Sequence, residues 1–252
     1  MEEHYNKVLL NFGLRILTIF KVLKKSLITE LICVHLRLKE NGRKNLRQNK
    51  INKKFIYLIS PNKIKNNIFY KDLALLFSTK KVSLFQLRLK NDTNKNKLDI
   101  GRKVKKICKK YKVKLIINDD PKLAKKINAD GCHLGQKDMN ILNARKILKN
   151  KMIGVTCHNS INLAKKAIDD SADYLAFGAF YSSQTKIVKY KASFKILKLV
   201  KKITNTPIVA IGGIKQSNYK KLLLNKANFL AISGYIWNNK KLKPLEAIKK
   251  LK

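Results

Sequence analysis

From Phe55 onward, short apolar runs alternate with lysine-rich segments of helical periodicity. This alternation is typical of a parallel sheet whose strands are each followed by a covering helix. We predict strands at Phe55–Ser60, Val82–Leu87, Val113–Asn118, Gly131–Leu134, Met152–Thr156, Tyr174–Gly178, Ile208–Ile211 and Phe229–Ser233. The predicted helices are Tyr70–Ser78, Lys97–Tyr111, Lys122–Asn128, Ile141–Lys149, Ile161–Asp169, Phe194–Thr204, Asn218–Leu224 and Pro244–Leu251. Eight such units in residues 55–252 predict an α/β fold, a (β/α)8 TIM barrel near the lower size limit of about 200 residues. A doubly wound open sheet is the alternative.

Residues 1–54 have a different character from the rest of the chain. An amphipathic stretch is followed by a polar, basic run at residues 39–54, which we interpret as a solvated linker. The amphipathic stretch has three readings: a helix on a membrane surface, an extra helix packed on the barrel, or sequence upstream of the true start. The predicted organisation is therefore a basic N-terminal extension, 1–54, and a barrel, 55–252.

The chain is strongly basic, with 57 Lys and Arg against 15 Asp and Glu and a formal net charge of +42. Such a charge normally indicates nucleic acid or an anionic membrane as partner. Here 50 of the 57 are lysines, spread along the whole chain, whereas base and phosphate recognition favours arginine with interleaved aromatic residues. We therefore predict no specific nucleic-acid partner, and we keep membrane-surface contact of the N-terminal extension as an open expectation.

Four cysteines show neither a CxxC spacing nor a secreted disulfide framework: Cys33, Cys108, Cys132 and Cys157. No apolar run approaches the roughly 20 residues that span a bilayer, and no signal-peptide cleavage pattern follows the apolar stretch near the N-terminus. The sequence thus predicts reduced thiols and a cytoplasmic location.

Polar side chains collect where the early strands end, which is where barrel enzymes build their sites. The second strand leads into Gln86, Arg88 and Lys90, which alternate onto one face of an extended segment. Asn118 and Asp119 end the third strand, and Asp138 follows the fourth. Two carboxylates at neighbouring strand ends suit Mg²⁺, although each acid taken singly is also a plausible helix cap. A zinc site from His133 and His158 lacks the usual ligand spacing.

The later loops carry features of phosphate sites. Gly212-Gly213 follows the seventh strand and Ser233-Gly234 follows the eighth, where backbone N–H groups of barrels often hold phosphate. The loop after the sixth strand contains Ser183, Thr185 and Lys186, whose hydroxyl and ammonium donors suit a second phosphate or a diphosphate. Ordinary turn chemistry and a solvated loop are the competing interpretations.

Taken together, these stretches resemble the thiamine-phosphate synthase / TenI family of barrels over residues 55–235. The segments that carry the resemblance are Gln86–Lys90, Ile116–Asp119, Ala129–Asp138, Ile153–His158, Ala172–Gly178 with Thr185-Lys186, and Pro207–Ile214. In the synthase, the resemblance implies, hydroxymethylpyrimidine diphosphate loses diphosphate, and the nitrogen of a thiazole phosphate captures the resulting cation to give thiamine phosphate.

The resemblance also implies roles for individual residues. Gln86, Arg88, Lys90 and Asn118 would hold the pyrimidine diphosphate, and Asp119 and Asp138 would hold the cofactor Mg²⁺. Thr156, Ser183, Thr185 and Lys186 would contact phosphates and the leaving group, while Gly213, Ile232 and Ser233 would cradle the thiazole phosphate through backbone N–H groups. Cations and a metal stabilise a departing diphosphate, so the implied catalysis is mostly electrostatic and positional.

Three positions depart from the family pattern: Leu89 replaces the glutamate of Arg-Glu-Lys, Ser183 replaces a threonine, and Ala179 replaces a proline. Two alternatives therefore stay open. A TenI-type thiazole tautomerase would use His158 as its proton shuttle and needs no metal. A non-catalytic barrel would bind phosphate ligands without turnover.

Overall fold

The computed structural model describes residues 55–64, 66–182 and 190–251. In this part of the chain, eight strands form one closed parallel barrel. The strands are β1 (Ile56–Ile59), β2 (Val82–Leu87), β3 (Lys114–Asn118), β4 (Gly131–Leu134), β5 (Met152–His158), β6 (Tyr174–Gly178), β7 (Ile208–Ile211) and β8 (Phe229–Ile232). The helices are α1 (Ile68–Ser78), α2 (Asn94–Lys110), α3 (Pro121–Ile127), α4 (Ile141–Leu148), α5 (Ile161–Asp169), α6 (Phe194–Ile203), α7 (Tyr219–Leu224), α8 (Gly234–Trp237) and α9 (Pro244–Lys249).

Closure of the sheet decides between the two predicted folds. β1 pairs in parallel with β2 on one side and with β8 on the other, through Ile56↔Leu230 and its neighbours. The TIM barrel is thus confirmed, and the open sheet is wrong. The predicted strands match the observed ones to within two residues, with β5 extending to His158. The short helix α8 was not predicted, because four residues are too few to display helical periodicity.

Residue parity divides the apolar side chains into two layers. Along each strand, alternate side chains point into the barrel or outward against the helices. The inner layer contains Tyr57, Ile59, Leu84, Ile116, Tyr174, Ala176, Val209 and Ala231, whereas Ile56, Leu58, Phe85 and Leu115 belong to the larger outer layer. At the carboxyl ends of the strands, the side chains at inward positions face the mouth of the barrel. These are the side chains that could form a site there.

The amino-terminal edge of the barrel is held by three side chains that precede even-numbered strands. Asp130 Oδ2 accepts hydrogen bonds from Leu115 N at 2.8 Å and Lys105 Nζ at 2.7 Å. Asp173 Oδ2 likewise accepts from Ile153 N and from an arginine, and Asn228 Oδ1 accepts from Ile208 N. We call Asp130, Asp173 and Asn228 the strand brackets. They satisfy strand donors at the edge opposite the predicted site.

Several predictions concern residues that the structure leaves undescribed. The extension 1–54 and Cys33 lie outside the described residues. In the described part, Cys108, Cys132 and Cys157 are buried and free, and burial raises the pKa of the Cys108 and Cys157 thiols to about 12. None of the helices in the described ranges has the length and apolar character needed to cross a bilayer.

Candidate active site

The end of β2 places a row of polar side chains at the mouth of the barrel. Gln86 shares the inner parity of Leu84 and is only 4% exposed. Arg88 donates from Nη1 to Asn62 Oδ1 at 2.8 Å, and burial lowers the pKa of its guanidinium while the nearby Asp119 opposes that shift. Leu89 is 5% exposed and packs in the outer layer. The chain thus accommodates this departure from the family pattern as a core residue between two polar ones.

Asp119 and Asp138 lie together at the ends of β3 and β4. Burial, a hydrogen bond between the two carboxyl groups and their mutual repulsion raise the pKa of Asp119 to about 6. Lys90 Nζ, 3.7 Å from Asp119 Oδ2, and Arg88 oppose this shift. The described residues contain no group of three or more His, Cys, Asp or Glu arranged as a metal site. Two adjacent carboxylates are a donor set that suits Mg²⁺, which keeps most of its positions for water and phosphate.

Neither of these acids caps a helix. The cap of α3 is Asp120, whose Oδ1 accepts from Leu123 N at 2.9 Å, and the cap of α4 is Asn140. Asp138 Oδ2 instead accepts from Gly135 N at 2.7 Å within its own loop. Asp119 has a left-handed backbone, with φ of 63°. The capping interpretation of Asp119 and Asp138 is therefore wrong. Asp119 adopts a backbone conformation that is uncommon for residues other than glycine, and its carboxyl group contacts that of Asp138.

A hydrogen-bonded row crosses the interior beneath these acids. Gln86 Nε2 donates to Tyr57 Oη at 2.9 Å, and Tyr57 Oη lies 2.8 Å from Tyr174 Oη. Tyr174 Oη lies 3.0 Å from His133 Nδ1, and His133 Nε2 lies 2.9 Å from Thr156 Oγ1. We call these five residues the interior row. Both ring nitrogens of His133 have partners in the row, which argues against the zinc alternative.

Sequence reasoning missed Tyr57 and Tyr174, and it considered His133 only as a zinc ligand. All three lie inside runs that read as uniformly apolar or as strand interior. The available signal was parity: counting back in steps of two from Gln86, Thr156 and Gly178 identifies the inward positions of β2, β5 and β6. Tyr174 falls on an inward position of β6, and polar atoms at inward positions of several strands would then have indicated a shared interior network.

The two glycine-containing loops follow neighbouring strand ends, as predicted. Ile211 of β7 pairs with Ala231 of β8, so Gly213 and Ser233 each lie two residues beyond that pair. Ile232 is buried, and Ser233 Oγ donates to Ser60 O at 3.2 Å. Gly213 has φ of +60°, and a Cβ there would lie 2.3 Å from Ser182 O. Close packing against the loop after β6 is thus sufficient to require glycine at this position.

Of the remaining predicted site residues, some lie in the described part of the chain and others lie outside it. Asn118 and Thr156 end the inward faces of β3 and β5, and His158 follows with φ of 51° and its ring stacked 4.1 Å from that of Tyr190. Ser183, Thr185 and Lys186 lie outside the described residues. The structure therefore brings together the predicted residues from β2 to β5 at one mouth and leaves the roles of the loop after β6 as predictions.

Comparison with known proteins identifies the family. A family model described as thiamine monophosphate synthase matches residues 56–236. A thiamine-phosphate synthase of Pelagibacter ubique is 77% identical over 207 residues, covering 82% of this chain and 100% of the relative. One from Marinobacter nauticus is 43% identical over 152 residues, 60% of this chain and 68% of the relative.

The solved structures agree. A thiamine phosphate pyrophosphorylase from Pyrococcus furiosus superposes with a TM-score of 0.68 at 25% sequence identity, covering 79% of this chain and 94% of that one. The barrel found here, the polar strand ends and the sequence matches thus lead to one assignment. The chain belongs to the thiamine monophosphate synthase family, and its function is that of a thiamine-phosphate synthase, a transferase.

Proposed function

We propose that this chain couples hydroxymethylpyrimidine diphosphate to thiazole phosphate, releases diphosphate, and requires Mg²⁺ held by Asp119 and Asp138. The observation that carries the proposal is the contact between these two carboxyl groups at the barrel mouth, beside Lys90 and Arg88. Burial and the neighbouring Asp138 carboxylate raise the pKa of Asp119, and a divalent cation would relieve the repulsion between the two carboxylates. When bound, Mg²⁺ would neutralise charge on the diphosphate group.

The chain's own residues would act by position and charge. Arg88 and Lys90 would bind the diphosphate, joined by Lys186 from the loop after β6. As the carbon–oxygen bond breaks, negative charge grows on the departing diphosphate, and preorganised cations stabilise it without reorganising. The thiazole nitrogen then attacks the pyrimidine cation, which needs the two substrates to be held close together more than it needs a general base.

The other predicted residues would bind and orient the substrates. Gln86 and Asn118 would contact the pyrimidine diphosphate, and Thr156, Ser183 and Thr185 would donate to phosphate oxygens. Gly213, Ile232 and Ser233 would hold the thiazole phosphate through backbone N–H groups. We also place the reaction in the cytoplasm, a proposal supported by the free, buried Cys108, Cys132 and Cys157.

The magnesium proposal is tested by paired acid-to-amide variants. Asp119→Asn and Asp138→Asn should each lower kcat by ~10²-fold or more, the scale of losing preorganised electrostatic stabilisation. Each should also weaken binding of Mn²⁺, followed by its paramagnetic effect on water relaxation. Asp120→Asn is the matched control, because asparagine also caps helices well and Asp120 caps α3. Full turnover in the presence of a chelator, or equal losses in all three variants, would contradict the proposal.

The second experiment separates the synthase from a tautomerase. Lys186→Ala should lower kcat for thiamine phosphate formation by ~10²-fold, because it removes a positive charge that we propose acts on the leaving group. His158→Ala should have a much smaller effect. Were proton transfer on a thiazole carboxylate the true reaction, His158→Ala would instead cost ~10²–10⁴-fold. A wild-type protein that tautomerises the thiazole and never yields thiamine phosphate would overturn the proposed reaction.

A further inference from the structure

The hydrogen-bond donor and acceptor at each step of the interior row can be assigned from the atoms involved. We call the order from donor to acceptor the direction of the row. Gln86 begins it with an amide nitrogen, which is a donor only, so Tyr57 Oη is an acceptor there. Buried hydroxyl groups donate their proton where an acceptor lies within reach, and Tyr174 Oη lies 2.8 Å from Tyr57 Oη, so we assign Tyr57 as the donor of this bond. Since Tyr174 accepts from Tyr57, its own proton is left for His133 Nδ1 at 3.0 Å. This assignment makes Nδ1 the unprotonated nitrogen of the imidazole.

The direction continues through the histidine to the mouth of the barrel. With Nδ1 accepting, a neutral imidazole carries its proton on Nε2. Nε2 then donates to Thr156 Oγ1 at 2.9 Å. A hydroxyl that accepts from the imidazole has its proton left for a further acceptor. Thr156 ends the inward face of β5, where the proposed substrates bind.

We propose that Tyr57, Tyr174 and His133 are positioning residues that fix Thr156 as a hydrogen-bond donor toward an anionic oxygen of the bound substrate. This inference rests on the proposed function for the identity of the substrate, but the direction of the row does not. None of the three needs to touch the substrate. They keep the Thr156 hydroxyl from donating its proton to His133, so that it donates to the substrate instead.

The surroundings of the row support a fixed arrangement. Tyr57 and Tyr174 are 1% and 2% exposed, and their rings meet edge to face, 5.8 Å apart at 83°. The His133 ring stacks on Tyr174 at 5.6 Å and 16°. An imidazole nitrogen that accepts from Tyr174 carries no proton, so this contact requires a neutral ring. Gln136 Nε2 donates to Thr156 O, which holds the backbone of that residue as well.

The first test reads the tautomer of His133 directly. The 15N chemical shifts of the two ring nitrogens distinguish a protonated nitrogen from a bare one. In the full chain labelled with 15N-histidine, His133 is assigned by the loss of its signals in His133→Asn. The row predicts the Nε2–H tautomer in the absence of any substrate. The Nδ1–H tautomer or a charged ring at neutral pH would overturn the proposal, whether or not the chain makes thiamine phosphate.

The second test asks whether the row acts through Thr156. Tyr174→Phe removes the donor to Nδ1, so the Nδ1–H tautomer should become detectable and kcat should fall ~3- to 10-fold, as for the loss of one ordinary hydrogen bond. Thr156→Val should also lower kcat, and adding Tyr174→Phe to it should cause no further fall.

The outcomes of the double variant are decisive. Losses that multiply in Tyr174→Phe/Thr156→Val would overturn the proposal, because the tyrosine would then act independently of the threonine. Tyr219→Phe is the matched control: Tyr219 is equally buried but belongs to the outer layer, and its variant should leave both kcat and the His133 tautomer unchanged. Should Tyr174→Phe not fold, the wild-type spectrum alone supports or overturns the proposal.

Discussion

Gly154 lies on β5 opposite the ring of Tyr174, and the space left by its missing side chain is occupied by that ring. A Cβ at this position would lie 1.8 Å from Tyr174 Cζ. Gly154→Ala must therefore displace the tyrosine and break its hydrogen bonds to Tyr57 and His133. We expect a loss of about 1–3 kcal/mol in the free energy of unfolding from overpacking, measured by urea denaturation, together with reduced kcat.

Gly101→Ala provides the control for this prediction. A Cβ at Gly101 would also approach a neighbour closely, at 2.3 Å, but that neighbour is the terminal carbon of Ile127, a flexible side chain that can move. Gly101 lies inside α2, where alanine is favoured over glycine by about 0.5–1 kcal/mol. Equal destabilisation by the two variants would show that Tyr174 does not need the space at Gly154.

His133 should make stability depend on pH below neutrality. Burial lowers its pKa to about 4 in the folded chain, against an ordinary 6.5. Between pH 6.5 and about 4, His133 is protonated in the unfolded chain but not in the folded one. The free energy of unfolding therefore falls as the pH falls from 6.5 to about 4 and then levels off. The full effect is about 3 kcal/mol.

The measurement must isolate His133 from Asp119. The raised pKa of Asp119 gives the opposite slope, because the folded chain takes up that proton more readily than the unfolded one between pH 6 and 4. The stability of the wild type minus that of His133→Gln, from urea denaturation at each pH, removes the Asp119 contribution. This difference should shrink as the pH falls from 6.5 to 4, and a constant difference would contradict the assignment of a neutral His133.

At the scale of elements, the strand brackets hold the edge of the barrel opposite the site. Asp173 Oδ2 accepts from Arg145 Nη2 at 2.7 Å and from Ile153 N at 2.8 Å, while Asp173 N donates to Ile153 O. Arg145 also donates to the carbonyls of Lys149, Lys151 and Ser171. Asp173 is therefore the acceptor that joins β5, β6 and the end of α4.

Asp173→Ala should separate stability from catalysis. The variant leaves Ile153 N–H and the Arg145 guanidinium without their carboxylate, and we expect the free energy of unfolding to fall by about 2–3 kcal/mol. The kcat of the folded protein should stay unchanged because the site is at the other edge. The control is Asp169→Ala, an exposed acid of the neighbouring α5, expected within about 0.5 kcal/mol of the wild type. A specific loss of kcat in Asp173→Ala would mean that this edge communicates with the site.

The same elements show how far sequence reasoning reaches. β2, β4, β6 and β7 were predicted residue for residue, because each is a compact apolar run bounded by lysines or turn residues. The residues at the mouth were found because polar side chains after apolar runs are conspicuous. Tyr57, Tyr174 and Gly154 were not found, because their roles depend on which neighbour across the barrel they meet. That information comes from strand register, such as Gly154↔Tyr174, and not from local pattern.

At the scale of the whole molecule, the lysines are spread along the chain, whereas the carboxylates with defined partners lie at the two ends of the barrel. The chain has a net charge of +42, yet the acids that matter in the described part are few and placed at defined points. Asp119 and Asp138 meet at the mouth, while Asp130 and Asp173 pair with Lys105 and Arg145 at the opposite edge. A diffuse excess of lysine would favour the approach of the anionic substrates proposed above. The scarce carboxylates, by contrast, mark the metal site proposed above and the brackets.

The barrel should fold and act without the N-terminal extension. Its first strand begins at Ile56, and Phe55 contributes a hydrogen bond from Leu230 N to Phe55 O at 2.8 Å and a stacked ring against Tyr219. A chain beginning at Lys53 keeps all of these contacts. We expect it to give the circular dichroism spectrum of a folded α/β protein and the kcat of the full chain. A chain beginning at Ser60 is the matched control: it lacks β1, leaves the facing edges of β2 and β8 unpaired, and should not fold.

Binding to anionic phospholipid vesicles, measured by co-sedimentation of the full and the Lys53 chains, tests the membrane reading of residues 1–54. Loss of binding with retained kcat would support that reading, whereas insolubility of the Lys53 chain would contradict the prediction and show that the barrel needs the extension packed against it.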